Sequence, residues 1–485
     1  MKILFVASEV TPFAKTGGLA DVAGSLPKEL KRMGHDVRII LPFYSCVAQG
    51  GFAVSDSGQA IGVRLGTATE TGVVRQTDLD GIPVYLLENG KFFRRDFLYG
   101  TPDGDYPDNP QRFAFFCRGV LEFLRQTDFR PDVLHCHDWQ TALVPILLRH
   151  EYGDDPLFAA RAVLFTIHNL AYQGLFPQDA LEEMGLDPSY FTIDRLEYYG
   201  SINLMKGAIL TADLVTTVSE SYCREIRTPE LGCGLEGVLD VRRDDLFGIL
   251  NGLDYAEWDP ATDGDIASTF TAESLEGKAA DKLGLQRLLG LEQSAEIPLV
   301  GLVSRLSAQK GFDLIAELLP KLAKAKLQLV ILGTGEEKFV RLLTGAAGQK
   351  TKNISFNFGF DTSLAHRIYA GCDIFLMPSH YEPCGLGQLI ALRYGTVPVV
   401  RKTGGLADTV LDPHESREPT GFSFTEYTSA ALWKTIKRAL LAWKNRDRWG
   451  KIVRRGMLLD FSWHHSAQSY EVLYRRAIEK KRGEV

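Results

Sequence analysis

The string Lys15-Thr16-Gly17-Gly18-Leu19-Ala20-Asp21 returns, letter for letter, as Lys402-Thr403-Gly404-Gly405-Leu406-Ala407-Asp408. Each copy follows an apolar run of β character (Ile3 to Ala7; Val397 to Val400) and precedes a stretch of helical character. Paired glycines where a strand hands over to a helix let backbone N–H groups approach a ligand, and the lysine adds charge for an anion. Two structural turns left by an old duplication are the plain alternative. A second basic loop, Ser304-Arg305-Leu306-Ser307-Ala308-Gln309-Lys310-Gly311, follows Leu299 to Val303. Arg305 offers a planar fork of donors and Lys310 a point charge, so the two can share a diphosphate. A solvated pair before a helix-starting glycine would look the same. In Met377-Pro378-Ser379-His380-Tyr381-Glu382-Pro383-Cys384-Gly385-Leu386-Gly387, Pro383 restricts Glu382 to an extended backbone and suits a helix's first turn. The carboxylate is then held at a sheet edge, while the N–H groups of Leu386 and Gly387 can point at an anion. A buried helix-capping carboxylate is the competing reading. Gly333-Thr334-Gly335-Glu336 is a weaker loop of the same kind.

His135-Cys136-His137-Asp138-Trp139 has the look of a metal site. Alternation along a strand sends His135 and His137 to one face, yet no further ligand cluster accompanies them, so no metal is expected. Asp138 and Trp139 fit sugar recognition better, the carboxylate for hydroxyls and the ring for an apolar sugar face. His168-Asn169, after the run Val163 to Thr166, is either a site residue or a satisfied loop histidine. Gly232-Cys233-Gly234-Leu235-Glu236-Gly237 matches Gly-x-Gly-x-x-Gly, but Thr228-Pro229-Glu230 precedes it instead of a strand, which argues against a dinucleotide site.

The elements that must hold these residues alternate along the chain. Val37 to Leu41, Pro83 to Leu87, Val133 to His135, Val163 to Thr166 and Leu214 to Val218 read as strands in the first half. Leu299 to Val303, Leu327 to Leu332, Ile354 to Phe358, Ile374 to Met377 and Val397 to Val400 do so in the second. Strands alternating with helices mean parallel sheets, so both halves are α/β, with ligands expected at the carboxyl ends of strands. Asp254 to Gln293 is polar and poorly periodic, which puts a domain boundary near Asn251, and a last helix runs from about Ser462 to Lys480. A chain of 485 residues, 45% hydrophobic and 24% charged, is too long for one ordinary core. Its net charge of −7, from 54 basic and 61 acidic residues, argues against a nucleic-acid surface. Seven cysteines without a Cys-x-x-Cys pair read as reduced thiols. The chain opens directly on a strand and no apolar run reaches membrane-span length, so a cytoplasmic protein with no membrane partner is expected.

Taken together, these strings closely resemble bacterial glycogen synthases and plant starch synthases, and the resemblance spans nearly the whole chain. It takes in both Lys-Thr-Gly-Gly strings, His135 to Trp139, His168 to Gly174, Thr228 to Val238, Asn251-Gly252-Leu253-Asp254, Ser304 to Gly311 and Glu382-Pro383-Cys384-Gly385-Leu386. What it implies is a GT-B architecture: two Rossmann-like α/β domains with parallel sheets facing a deep interdomain cleft. Residues 1–250 would form the first, 251–461 the second, nucleotide-sugar-binding one, and 462–485 a helix crossing back to the first. It implies ADP-glucose as donor and an α-1,4-glucan such as glycogen as acceptor, with neither cofactor nor metal. By matching position, Glu382, His168, Arg305 and Lys310 would be catalytic. Lys15, Gly18, Asp21, Asp138, Asn251, Cys384, Gly385, Leu386 and Thr403 would bind substrate. Two departures stand out: Gly387 where relatives often carry threonine, and Phe360 where a tyrosine is common beside the nucleobase.

Transferring glucose from a nucleotide diphosphate gives an oxocarbenium-like sugar and an anionic leaving group. Cations and N–H dipoles must stabilise the latter. A charged hydrogen bond is worth roughly 1.5–3 kcal/mol, so two or three supply about 10³-fold or more in rate. Retention of the α-configuration is implied, by front-face displacement or through a covalent glycosyl–Glu382 intermediate. Another α-glucoside-forming GT-B enzyme, or a non-catalytic glucan-binding protein, would share much of this sequence; the second class would have been favoured by loss of Lys15, Arg305, Lys310 or Glu382.

Overall fold

The structure is a computed structural model that describes residues 1–101, 103–347 and 352–484. It divides into two compact units, Met1–Gly252 with Trp463–Val485, and Leu253–Ser462.

The first unit is built on a nine-stranded sheet. Its strands run, across the sheet, Leu246–Gly248, Leu214–Thr217, Ala162–Ile167, Val133–His137, Lys2–Val6, Asp36–Pro42, Ile82–Glu88, Ala68–Leu79 and Ser55–Leu65. The first seven pair in parallel and the last two add an antiparallel edge. The central strands are apolar and covered on both faces: Val133–His137 and Ala162–Ile167 are buried at every residue, as crossover connections require of a parallel sheet. The hairpin Ser55–Leu65/Ala68–Leu79 buries only alternate residues near its core end. Its polar outer face hides it from a search for apolar runs. Helix Gly18–Arg32 buries Leu19, Val22, Ala23, Leu26 and Leu30, an i, i+3, i+4 stripe. The last helix, Trp463–Arg482, packs Trp463, Ala467, Tyr470, Tyr474 and Ala477 into this unit's core and ends in Lys480, Lys481 and Arg482, cations suited to a helix C-terminus.

The second unit has a six-stranded, wholly parallel sheet: Ile354–Phe358, Gln328–Gly333, Leu299–Val303, Ile374–Met377, Val397–Arg401 and Phe422–Phe424. In order of appearance along the chain this is 3-2-1-4-5-6, the dinucleotide-fold order. Helix Glu276–Leu288 lies within the segment that reads as polar and aperiodic; its buried residues include Asp281, Lys282 and Gln286 besides Leu285, so its inner face is too polar to show a helical period.

In both units the strand order reverses at one place. Lys2–Val6 lies beside Val133–His137 in the first, Leu299–Val303 beside Ile374–Met377 in the second. Loops leaving neighbouring strands at such a point diverge and open a crevice. Among the described residues, no helix is long and apolar enough to cross a membrane.

Candidate active site

In the second unit the crevice is bounded by the loops Ser304–Gly311 and Pro378–Leu386. Glu382 is buried and both oxygens of its carboxylate are hydrogen-bonded. Lys310 Nζ donates to Oε1 at 2.8 Å and to Oε2 at 2.6 Å, and Ser379 Oγ donates to Oε2 at 2.9 Å. An ammonium has three N–H donors, so one remains on Lys310 for a ligand. Arg305 stays exposed; its carbonyl accepts from Ser304 Oγ at 3.2 Å, and its guanidinium makes no ion pair or hydrogen bond among the described residues. The loops are tied together by one backbone and one side-chain bond: His380 N–H donates to Gln309 O at 2.8 Å, and Gln309 Nε2 to Tyr381 O at 3.1 Å. Gly311 turns at φ 73°, where a Cβ would lie 2.1 Å from Pro378 O, so only glycine lets the two loops approach. Gln388 Nε2 closes the next turn by donating to Cys384 O and Gly385 O. Cys384 is buried, whereas Gly385 and Leu386 are partly accessible. At Gly387 a Cβ would sit 3.1 Å from the Phe375 ring and 3.3 Å from Met377 Sδ, so a larger residue requires those side chains to shift by a few tenths of an ångström.

The glycines of the second Lys-Thr-Gly-Gly string pack against a neighbouring loop. Gly404, at φ 45°, and Gly405 lie against the Glu382 loop; their Cβ atoms would be 2.0 Å from Glu382 O and 2.1 Å from Cys384 O. Gly405 N–H donates to Glu382 O at 3.2 Å. Lys402 pairs with Glu415 at 2.7 Å, and the Thr403 side chain is buried. The string supports the loop carrying Glu382. Phe360, at the end of strand Ile354–Phe358, is 86% exposed, a free aromatic face beside the Gly333 loop, whose O accepts from Gly359 N–H.

In the first unit the crevice lies between the loop after Lys2–Val6 and the one after Val133–His137. Here Gly17 and Gly18 have open space where a Cβ would point. Lys15, exposed, pairs with Asp21 at 2.6 Å. The loop is fixed by a residue that motif reading passed over. The buried carboxylate of Glu9 accepts from Thr16 N–H at 2.5 Å, Gly17 N–H at 3.2 Å, Thr16 Oγ1 at 2.7 Å and Tyr99 OH at 2.7 Å. Two of the turn's N–H groups are therefore already engaged by an internal anion. Glu9 stands two residues beyond the apolar run Ile3 to Ala7, and the rule that ligands gather at strand ends was the available signal.

Asp138 has a positive φ of 56°, rare for a non-glycine residue and a mark of local strain. Its Oδ1 accepts from His168 N–H at 2.8 Å. Burial pushes the Asp138 carboxyl up to about 7, helped by the charge of Glu9 and opposed by the N–H groups of His168 and Asn169. Burial also holds His168 neutral, its imidazole down at about 3, and His168 Nε2 lies 3.0 Å from His137 Nδ1. Trp139 is no sugar platform: the indole is buried, edge-on to Phe113 and Phe176. The Gly232–Gly237 string is a loop after helix Glu220–Glu225, with Cys233 O accepting from Tyr198 OH and Gln173 Nε2. Asn251 is buried near the end of this unit, its Oδ1 without a partner among the described residues. The structure thus gathers Lys310, Glu382 and the Cys384–Leu386 turn in one crevice. Lys15, Gly18 and Asp21 lie in another, along with Asp138 and His168, which Glu9 joins.

Two units of dinucleotide-fold strand order, each with a polar site at its reversal point, define a GT-B glycosyltransferase. Residues 2–241 match the starch synthase catalytic domain and residues 292–456 the glycosyl transferases group 1 family. The chain is 62% identical over 482 residues to a glycogen synthase of Geotalea uraniireducens, covering 99% of this chain and all of that one. It is 60% identical over 484 residues to glycogen synthase 2 of Geobacter sulfurreducens, covering all of both. The catalytic domain of starch synthase IV from Arabidopsis thaliana, solved with ADP and acarbose, superposes with a TM-score of 0.91 at 35% identity, over 98% of this chain and 99% of that one. Sucrose-phosphate synthase of Thermosynechococcus elongatus, at 18% identity and a TM-score of 0.60 over 98% of each chain, shares the fold. The chain belongs to the glycogen synthase family of glucosyltransferases.

Proposed function

We propose that this glucosyltransferase moves glucose from ADP-glucose to the non-reducing 4-hydroxyl of an α-1,4-glucan, with retention, in the cytoplasm. The observation that carries the reading is the Lys310–Glu382 pair at the strand-order reversal of the second unit. A carboxylate held this firmly at a strand end suits the positive face of a departing glucosyl group, and the spare N–H of Lys310 suits its leaving phosphate. The ADP and acarbose bound by the starch synthase IV structure are a nucleotide and a glucan-like oligosaccharide, which supports both ligand classes.

In this reading Arg305 and Lys310 neutralise the diphosphate as the anomeric C–O bond breaks, and Lys15, Gly18 and Asp21 also contact the donor. The turn Cys384-Gly385-Leu386 and Thr403 bound the donor pocket, Thr403 from behind the Glu382 loop, since its side chain is buried and its N–H donates to Arg401 O at 3.0 Å. Asp138, His168 and Asn251 serve the sugars. The departing phosphate takes the proton of the attacking 4-hydroxyl on the same face, which returns the α-configuration, while Glu382 orients and stabilises the sugar. The exposed ring of Phe360 offers the adenine a stacking face.

Incubation with ADP-glucose or UDP-glucose plus glycogen, following nucleotide release and polymer growth, tests the assignment. A higher kcat/KM with ADP-glucose is expected; equal or reversed values overturn the donor, and growth of maltose but not glycogen overturns the acceptor.

A further inference from the structure

His137 is fully buried, its ring packed against Phe5, stacked at 5.5 Å, and His135 at 4.0 Å. Its Nδ1 lies 3.0 Å from His168 Nε2, while its own Nε2 is buried without a partner among the described residues. His135 offers that nitrogen nothing, since its two ring nitrogens are taken by Tyr474 OH at 2.9 Å and Thr166 Oγ1 at 2.7 Å. Burial keeps all three imidazoles neutral. A neutral pair places one proton in the N···N bond, and only two arrangements exist. If His168 Nε2 carries the proton, His137 must carry its own on Nε2, a buried N–H with no acceptor. If His137 Nδ1 carries it, His137 Nε2 is a bare lone pair and His168 bears its proton on Nδ1. Orphaned buried N–H groups are the rarer and costlier outcome.

We propose that His137 is a positioning residue that fixes His168 in the tautomer protonated at Nδ1. That atom bonds to nothing among the described residues and is not sealed from the surface, unlike Nε2 of His137. His168 therefore presents a hydrogen-bond donor outward, suited to a sugar hydroxyl or phosphate oxygen and unsuited to removing a proton. This rests on the reading of His168 as a residue facing the sugars. It assigns His137, buried behind His168, the role that a carboxylate or carbonyl plays behind other functional histidines.

Long-range ¹H–¹⁵N correlation on the full chain labelled at histidine tests it, with His168 assigned by its loss in His168→Gln. The expected spectrum shows Nδ1–H tautomers for His168 and His137 at neutral pH, and a mixed or reversed tautomer for His168 in His137→Leu. Nε2–H on His168 in the unsubstituted protein, or no change in His137→Leu, overturns the inference. In turnover, His137→Leu should lose about 10–100-fold in kcat with donor KM nearly unchanged. His137→Asn, which keeps a donor near the Nδ1 position, should recover most of it. If the tautomers are as expected but His137→Leu turns over normally, the inference stands and the placement of His168 at the sugars falls.

Discussion

The two copies of Lys-Thr-Gly-Gly-Leu-Ala-Asp have the same seven residues and do different work. Around Gly17 and Gly18 there is open space; the flanking Lys15, exposed like Lys402, is paired with Asp21 of the same string. Around Gly404 and Gly405 there is backbone at 2.0–2.1 Å from where a Cβ would be, and Lys402 is committed to Glu415. The first copy leads into a 15-residue helix and stands at its sheet's reversal point; the second leads into a six-residue helix one strand further on. Glycines permit close approach, but the neighbouring strand-end loop decides what approaches: nothing within 4 Å of a Cβ in one case, the Glu382 loop in the other. An identical string therefore does not fix even the local backbone: Gly17 is extended at φ −155°, whereas its counterpart Gly404 turns at φ 45°.

The largest contrast should come from adding one methyl to each copy. Gly404→Ala must place a side chain at φ 45° against Glu382 O, so a stability loss of about 2–4 kcal/mol is expected. Displacing the Glu382 loop should lower turnover by at least about 10²-fold. Gly18→Ala meets nothing, so denaturant melts should shift by less than about 0.5 kcal/mol while the donor KM rises. Equal destabilisation of both variants would break the comparison.

The lysines give a smaller effect. Lys15→Ala should reduce turnover by about 10-fold or more through a lost cation at the donor. Lys402→Ala removes only an exposed pair with Glu415, worth little, and should leave kcat within about three-fold of the parent. A larger loss for Lys402 than for Lys15 would reverse the roles assigned here.

The smallest effect is a pH limb confined to the first unit. Asp138, raised from its ordinary 3.8 to about 7 by burial, keeps its proton in the fold. Its contribution to stability is thus greatest in acid and is lost as pH rises from about 3.8 to about 7. His168 has the opposite sign: depressed from 6.5 to about 3, its stabilising contribution is full above 6.5 and is lost as pH falls toward 3. If the ionised Asp138 carboxylate serves the sugars, activity should fall below about pH 7, with the fold intact by circular dichroism. Asp138→Asn should flatten that limb at a lower maximum, and a limb that survives the substitution belongs to another group.

Much of this was legible in the residues, because apolar runs buried on both faces announce a parallel sheet. Val133 to His135 and Leu299 to Val303 were found that way, and they delimit the crevices where Lys310, Glu382, Asp138 and His168 sit. The hairpin Ser55–Leu65/Ala68–Leu79 was not, since half its residues face solvent. Side-chain destinations were less legible than positions. Trp139 is attached to the right loop, yet its indole turns into the core against Phe113. Lys310 was read as a phosphate ligand with Glu382 as a separate group, whereas the two are bonded to each other at 2.6 Å. Glu9 escaped because no motif contains it; its role arises from Tyr99, 90 residues away in the chain, and from the Thr16 turn closing on its carboxylate.

Glucosyl transfer by side chains of the protein, Glu382 together with fixed cations, is the proposal on which the rest depends. It is tested most directly by stripping the protein of metal and following transfer from ADP-glucose to glycogen in excess EDTA, for the parent and for Glu382→Gln. The parent should retain full activity, because Arg305 and Lys310 supply the charge. Glu382→Gln, folded as judged by its melting transition, should fall by at least about 10²-fold. Loss of parental activity that magnesium or manganese restores, or near-normal turnover by Glu382→Gln, would contradict it.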